Sequence, residues 1–317
     1  MNAAWKRIAA STREEIGPAA DPWIEAVPRA LPELAERWSL MLGDPFDAET
    51  TSYVLRAERA DGTPAVLKLI YPRYPETPFA QEVAGLRMWD GRGIVRLLET
   101  DAEIGAQLLE RAVPGTAALD LGEADALPIA VNVLLRMWSA PATPRPEIKT
   151  LAEQARVWAR EIERDWTDAG EPYERDLLDR ATWTLLRLAD DVEAWPAEEL
   201  VLVHGDLHHG NVLRAEREPW LAIDPKPMLG EREYDLRAPL CDRRDALFAN
   251  PDPASHLRRR LDVLLETLGD VDARRALEWA FVVELTWCTG GLAEPGADGD
   301  FAGMQLRSAR LLASLLD

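Results

Sequence analysis

Leu200-Val201-Leu202-Val203 runs straight into His204-Gly205-Asp206-Leu207-His208-His209-Gly210-Asn211, and shortly afterwards Trp220-Leu221-Ala222-Ile223 runs into Asp224-Pro225-Lys226. Each apolar run has the length of a buried strand, and each ends directly on an acid or on a His-x-Asp. Strands that end on carboxylates put acidic oxygens at the rim of a sheet, where a reacting group can meet them.

The spacing narrows the chemistry. Asp206 and Asn211 stand in the Asp-x-x-x-x-Asn relation of a phosphotransfer loop, and Asp224 follows an apolar strand as the metal-binding acid of a kinase does. On that pattern Asp206 accepts the proton of an attacking hydroxyl, while Asn211 and Asp224 hold Mg2+ on nucleotide phosphates. Positioning and charge neutralisation supply most of the acceleration in such a transfer, so few other groups are needed. A polar surface turn and a hydrolase-type metal cluster are the alternatives, because His204, His208 and His209 all fall in this loop and only His256 lies elsewhere. Asn211 suits a kinase better than a hydrolase.

Upstream, residues 38–42, 52–59 and 64–71 read as strands, with Asp61-Gly62 as a type I′ hairpin turn between the last two. Lys68 falls inside Ala65-Val66-Leu67-Lys68-Leu69-Ile70, and a lysine in a buried apolar strand is costly unless it is paired. It is assigned to the α- and β-phosphates of a nucleotide, with an edge-strand lysine that snorkels to water as the alternative. Residues 77–89 read as a helix with Phe79, Val83 and Leu86 on one face, and Glu82 within it is either the partner of Lys68 or an exposed helix acid. Where a glycine-rich phosphate loop would lie, Gly43 stands alone among Asp44, Asp47 and Glu49, so Thr50, Thr51 and Ser52 are the candidates for hydroxyl and amide donors.

Residues 93–100 and 106–111 complete a five-stranded sheet, and helices are expected over 127–138, 147–166, 172–192, 253–268, 272–290 and 300–316. Before the first strand, Pro18, Pro22, Pro28 and Pro32 leave room only for short helices, the best of them over 32–38.

His204-Gly205-Asp206-Leu207-His208, Gly210-Asn211-Val212-Leu213, Asp224-Pro225-Lys226-Pro227 and Tyr234-Asp235-Leu236 together resemble the aminoglycoside phosphotransferase superfamily, and Asp-Pro-Lys-Pro is similar to its streptomycin and hydroxyurea phosphotransferase branch. Residues 258–262, Trp279 and Trp287 extend the likeness over nearly the whole chain. The resemblance implies an α+β, bilobal, protein-kinase-like fold. In it, residues 1–37 form a helical leader and 38–110 an N-terminal lobe with a five-stranded antiparallel sheet and one main helix. Residues 111–115 form a hinge, and 116–317 a larger, mostly helical lobe with the catalytic loop and substrate site.

It further implies main-chain contacts to adenine near Glu110 and Ala112, and transfer of the γ-phosphate of ATP or GTP, with Mg2+, to a hydroxyl of a small molecule. A streptomycin-like aminoglycoside is the first expectation for the acceptor; hydroxyurea, a small metabolite, or an inactive nucleotide-binding protein of the same fold are the alternatives. The joint presence of Lys68, Asp206, Asn211 and Asp224 argues against the inactive form. His204 and His208 are expected to brace the loop, and Asp235 either braces it from behind or caps a helix. Lys226 either touches the γ-phosphate or balances Glu231 and Glu233.

Glu284 and Trp287, three residues apart on one helix face, are candidates to meet a cationic acceptor through charge and the indole face, against an ordinary place in a core. The chain departs from the family in its sparse glycine loop and in His209, where proline is usual. Gly205 and Pro225 replace the arginine and phenylalanine through which protein kinases are switched, which implies a constitutively competent enzyme.

The balance of 36 Lys and Arg against 56 Asp and Glu gives a net charge of −20. Such a field repels nucleic acid and attracts cations, and it serves solubility equally well. No run approaches the roughly 20 apolar residues of a membrane span, and the start of the chain lacks an apolar signal core, so a cytoplasmic protein is expected; for its assembly the expectation is a monomer or weak homodimer. Cys241 and Cys288, far apart and outside any Cys-x-x-Cys, read as buried thiols.

Overall fold

The computed structural model describes residues 2–46, 52–74, 78–293 and 299–317. Thr50, Thr51 and Thr77, the expected first residue of a helix, lie outside them. The chain forms two compact units: Met1–Thr116 with Leu213–Lys226, and Ala117–Val212 with Pro227–Asp317.

The first unit is built on a five-stranded antiparallel sheet in the order β1-β2-β3-β5-β4, from β1 (Leu40–Pro45), β2 (Tyr53–Arg59), β3 (Pro64–Leu69), β4 (Leu97–Asp101) and β5 (Ala106–Glu110). Alternation along β2 turns Tyr53, Leu55 and Ala57 inward. Helices α1 (Ala3–Ile16) and α2 (Asp21–Arg37) supply Trp5, Ile8, Trp23, Ile24, Val27 and Leu34 to the same core. Helix α3 (Phe79–Trp89) carries Glu82.

Two local expectations are corrected here. Only short helices were compatible with the leading prolines, yet α2 runs through Pro28 and Pro32. An interior proline costs about 3 kcal/mol, but each large apolar side chain buried on the sheet contributes about 1.5–3 kcal/mol, and α2 buries Trp23, Ile24, Val27 and Leu34. Helix α1 needed no such compensation, since Asn2 accepts from the Trp5 amide at 3.0 Å and Trp5, Ile8, Ala9 and Thr12 fall on one buried face. At the hairpin, only Gly62 of the Asp61-Gly62 pair has positive φ, +84°, and Arg59 donates to Thr63 at 3.0 Å. The loop is therefore a three-residue turn closed by a left-handed glycine, not type I′.

The second unit is mostly helical: α4 (Glu123–Trp138), α5 (Leu151–Asp168), α6 (Arg175–Ala194), the short α7 (Arg237–Cys241) and α8 (Arg244–Ala249), then α9 (Pro253–Leu268), α10 (Ala273–Ala293) and α11 (Gly299–Leu316). Strand Val201–Val203 pairs antiparallel with Met228–Gly230, so the segment from His204 to Asn211 leaves the end of a largely buried strand. Thr150 and Glu153 form a reciprocal capping box at the start of α5. No helix among the described residues is long and apolar enough to cross a membrane. Cys241 and Cys288 are buried and unpaired with each other, and burial pushes the Cys288 thiol up to about 11.

A buried arginine staples this unit from behind. Arg260 reaches Glu123 at 2.6 Å, Leu240 O at 3.0 Å and Asp242 O at 2.7 Å, and His256 lies 2.6 Å from Glu123. Burial acts to raise Glu123, but the hydrogen bonds from Arg260 and His256 hold its carboxyl down to about 2, against 4.5 for the free group. A carboxyl depressed on folding stabilises the protein above its unfolded pKa and loses that contribution as pH falls through its folded pKa. The stability gap between wild type and Glu123→Gln, followed as the difference in melting temperature, should thus be full at pH 7 and shrink between about pH 4.5 and 2; a gap independent of pH would contradict the pairing.

Candidate functional site

In the first unit the expected residues converge on Lys68. Its Nζ lies 2.8 Å from Glu82 Oε1 and 2.6 Å from Asp224 Oδ1. Strand β3 sets it opposite Val54 and Gln107, enclosed on both sides. Burial by itself lowers the amine, but the charges of Asp224 and Glu82 outweigh it, so Lys68 titrates above its ordinary value and stays protonated. Burial pushes the Glu82 carboxyl up against the pull of Lys68.

Two acids on one amine leave surplus negative charge. Asp224 carries it outward, with its side chain 54% exposed against 2% for Glu82. It sits in the left-handed region at φ +56°, a conformation aspartate tolerates better than most residues. A half-exposed carboxylate oxygen next to a lysine is a donor of the hard type that Mg2+ takes.

The segment after β5 is fixed by a residue the sequence did not flag. Arg217 grips Glu110 with Nε at 2.8 Å and Nη2 at 2.9 Å, and reaches Gly91 O and Ile94 O at 2.9 Å. The Glu110 amide donates to Arg96 O at 2.8 Å. Ala112 is buried just beyond, and Ser52 is buried just before β2. Lys226 is half-buried at the end of the segment the first unit takes from later in the chain.

In the second unit the loop is held from below by Asp235. Its carboxylate accepts from the His204 amide, the Gly205 amide and Trp138 Nε1, each at 2.9 Å. Gly205 takes φ +86°, which only glycine adopts cheaply, and so turns both amides onto one carboxylate. Burial pushes Asp235 up to about 6, although hydrogen bonds from Trp138, Gly205 and His204 pull it back.

The three loop histidines point to separate partners. His204, fully enclosed, accepts from the Asp206 amide at Nδ1, 3.2 Å away; His208 accepts from Gly210 at 3.1 Å; His209 meets Asp242 at 2.6 Å. Burial acts to raise Asp242, yet the hydrogen bonds from His209 hold its carboxyl well below the usual range. Among the described residues no three His, Cys, Asp or Glu side chains are grouped to hold a metal ion. Asn211 donates its amide nitrogen to Asp206 O at 3.0 Å, a bond that does not engage its amide oxygen.

Asp206 is bordered by a charge chain that sequence reading reached only in part. Its Oδ1 lies 3.1 Å from Arg237 Nη2; Arg237 Nη1 lies 3.4 Å from Glu284 Oε1; Arg244 takes both Glu284 oxygens at 2.7 and 2.8 Å. The Arg237 guanidinium stacks 4.1 Å over the Trp287 ring. Glu284 is fully enclosed, so the cation that Glu284 and Trp287 meet is the protein's own Arg237, and any action of Glu284 on an acceptor passes through that arginine. Arg237 is the single charge in residues 236–241, and the cost of a buried charge that singled out Lys68 applies to it equally.

Residues 37–288 match the family model of the aminoglycoside/hydroxyurea antibiotic resistance kinases. The chain is 38% identical to a streptomycin 6-kinase of Streptomyces glaucescens over 86% of each chain. It is 38% identical to a hydroxyurea phosphotransferase of Kitasatospora aureofaciens over 83% of this chain and 72% of that one. Among solved structures, a choline kinase of Streptococcus pneumoniae superposes with a TM-score of 0.65 at 15% identity, covering 92% of this chain and 99% of the other, which shows a shared kinase-like fold. With Lys68, Glu82 and Asp224 joined in one unit and the Asp206–Asn211 loop built in the other, the chain belongs to the aminoglycoside/hydroxyurea antibiotic resistance kinase family.

Proposed function

We propose that the protein transfers the γ-phosphate of ATP, with Mg2+, to a hydroxyl of a streptomycin-like aminocyclitol. The observation that carries the chemistry is Lys68, held protonated between Glu82 and Asp224. Similarity to a streptomycin 6-kinase supports the acceptor and its 6-hydroxyl, and the net charge of −20 favours encounter with a cationic substrate.

Lys68 orients the α- and β-phosphates, and Asp224 and Asn211 present oxygen ligands. Bound Mg2+ neutralises the charge that develops on the phosphate oxygens. Asp206 takes the proton as the acceptor oxygen bonds to the γ-phosphorus and the bond to the bridging oxygen breaks, releasing ADP. His204 and Asp235 keep the Asp206 backbone where the hydroxyl arrives.

Asp206→Asn should lower kcat by about three orders of magnitude while nucleotide binding, read by calorimetry, is kept. Retention of more than about a tenth of the activity would remove Asp206 as the base. Lys68→Ala should cut kcat/KM strongly and Glu82→Ala less; a normal kcat/KM in Lys68→Ala would mean that the buried pair serves the fold alone.

Hydroxyurea is the second reading, favoured by the equally similar hydroxyurea phosphotransferase. ADP release with streptomycin and with hydroxyurea, measured at low and high salt, separates the two. Streptomycin turnover should fall as the Debye length shrinks below about 10 Å, at ionic strengths above about 0.1 M, whereas turnover of neutral hydroxyurea should not. No streptomycin-dependent ADP release at any salt would exclude the aminocyclitol and leave the kinase standing.

A further inference from the structure

We propose that Arg237 is a positioning residue that fixes the carboxylate of Asp206 for proton transfer, an inference that rests on the assignment of Asp206 as the base. A carboxylate bonded at one oxygen has its plane and its second oxygen fixed as well. Arg237 makes that bond to Oδ1 at 3.1 Å, and it is itself immobilised on two further sides. The Trp287 ring lies 4.1 Å beneath the guanidinium, and Glu284, locked by Arg244, lies at its far edge. Arg237 and Arg244 balance Asp206 and Glu284, so the chain of four charges carries no net charge into the interior, which keeps the cost of burial low.

The partners of Arg237 separate positioning from plain support. Arg260, equally buried, also meets a carboxylate, Glu123, but it is one remote from the loop, and its remaining hydrogen bonds go to the carbonyls of Leu240 and Asp242, so it ties chain segments together. Arg237 has two carboxylates and an aromatic face for partners, and one of those carboxylates is Asp206. A planar fork on a ring holds a carboxylate at fixed angle, which an ammonium group does not. Removing the side chain beyond Cβ would leave a cage of two carboxylates and an indole face, the chemistry that binds a free guanidinium ion.

The test compares Arg237→Ala, Arg237→Lys and Asp206→Asn. Arg237→Ala should lose about a hundredfold in kcat while the KM for nucleotide stays within about twofold. Guanidinium at low millimolar concentration should restore part of that kcat and raise the melting temperature of Arg237→Ala, and ammonium at the same concentration should do neither. Arg237→Lys should fall between wild type and Arg237→Ala. A kcat within about threefold of wild type in Arg237→Ala, or a loss that guanidinium neither rescues nor accompanies with a thermal shift, would overturn the proposal. Should Arg237→Ala fail to fold, Arg237→Lys decides, because it keeps the buried charge: a loss of about tenfold in kcat at unchanged nucleotide KM is expected, and a kcat within about twofold of wild type overturns it. If Asp206→Asn is itself active, the assignment of the base has failed; if Asp206→Asn is inactive and Arg237→Ala is not, only the positioning role has failed.

Discussion

A charged amine enclosed by apolar strands persists only where acids meet it, and Lys68 has two. That constraint organises the first unit. Glu82 has to arrive on α3 and Asp224 at the end of the strand Trp220–Ala222, which is locked to the sheet region by the Val95 amide on Ala222 O at 3.0 Å and the Ala222 amide on Gly93 O at 2.8 Å. One acid is sequestered and the other half-exposed. The amine therefore stays protonated without ligand, while surplus negative charge remains on the side that solvent reaches.

The second unit solves a parallel problem for a carboxylate. Asp206 is presented by a loop whose backbone is fixed by Asp235 through His204 and Gly205, and its side chain is met by Arg237. Further back, Asp242 holds His209, and Arg260 holds the Asp242 carbonyl and Glu123. Buried polar groups in this region are linked in series, so a change at α4 or α9 reaches the loop through hydrogen bonds and not through packing alone.

Much of this was legible in the sequence because it is local. The Asp206 to Asn211 spacing, the acid after the Trp220 strand, and the lysine inside an apolar run each announce themselves within a few residues, and the strands follow from short β-rich runs bounded by turn residues. What stayed hidden depends on distant partners. The long α2 survives its prolines only because the sheet is there to bury Trp23, Ile24, Val27 and Leu34. The hairpin turn type is set by Asp61 accepting from the Thr63 amide at 2.9 Å, a choice that Asp-Gly alone leaves open. Arg217 becomes readable only once its acid, Glu110, is seen beside it, whereas Arg237 stands out as a lone charge in an apolar run and only its partners, Asp206 and Glu284, were hidden.

On the proposed function, Asp224 would serve two cations in turn, Lys68 as in this structure and a divalent ion once nucleotide is bound. Calorimetric titration of a non-hydrolysable ATP analogue, with and without Mg2+, into wild type and Asp224→Asn tests it most directly. Mg2+ should tighten nucleotide binding to the wild type strongly, bind poorly on its own, and give little enhancement in Asp224→Asn. Equal Mg2+ enhancement in both proteins, or tight Zn2+ binding to the wild type without nucleotide, would contradict it.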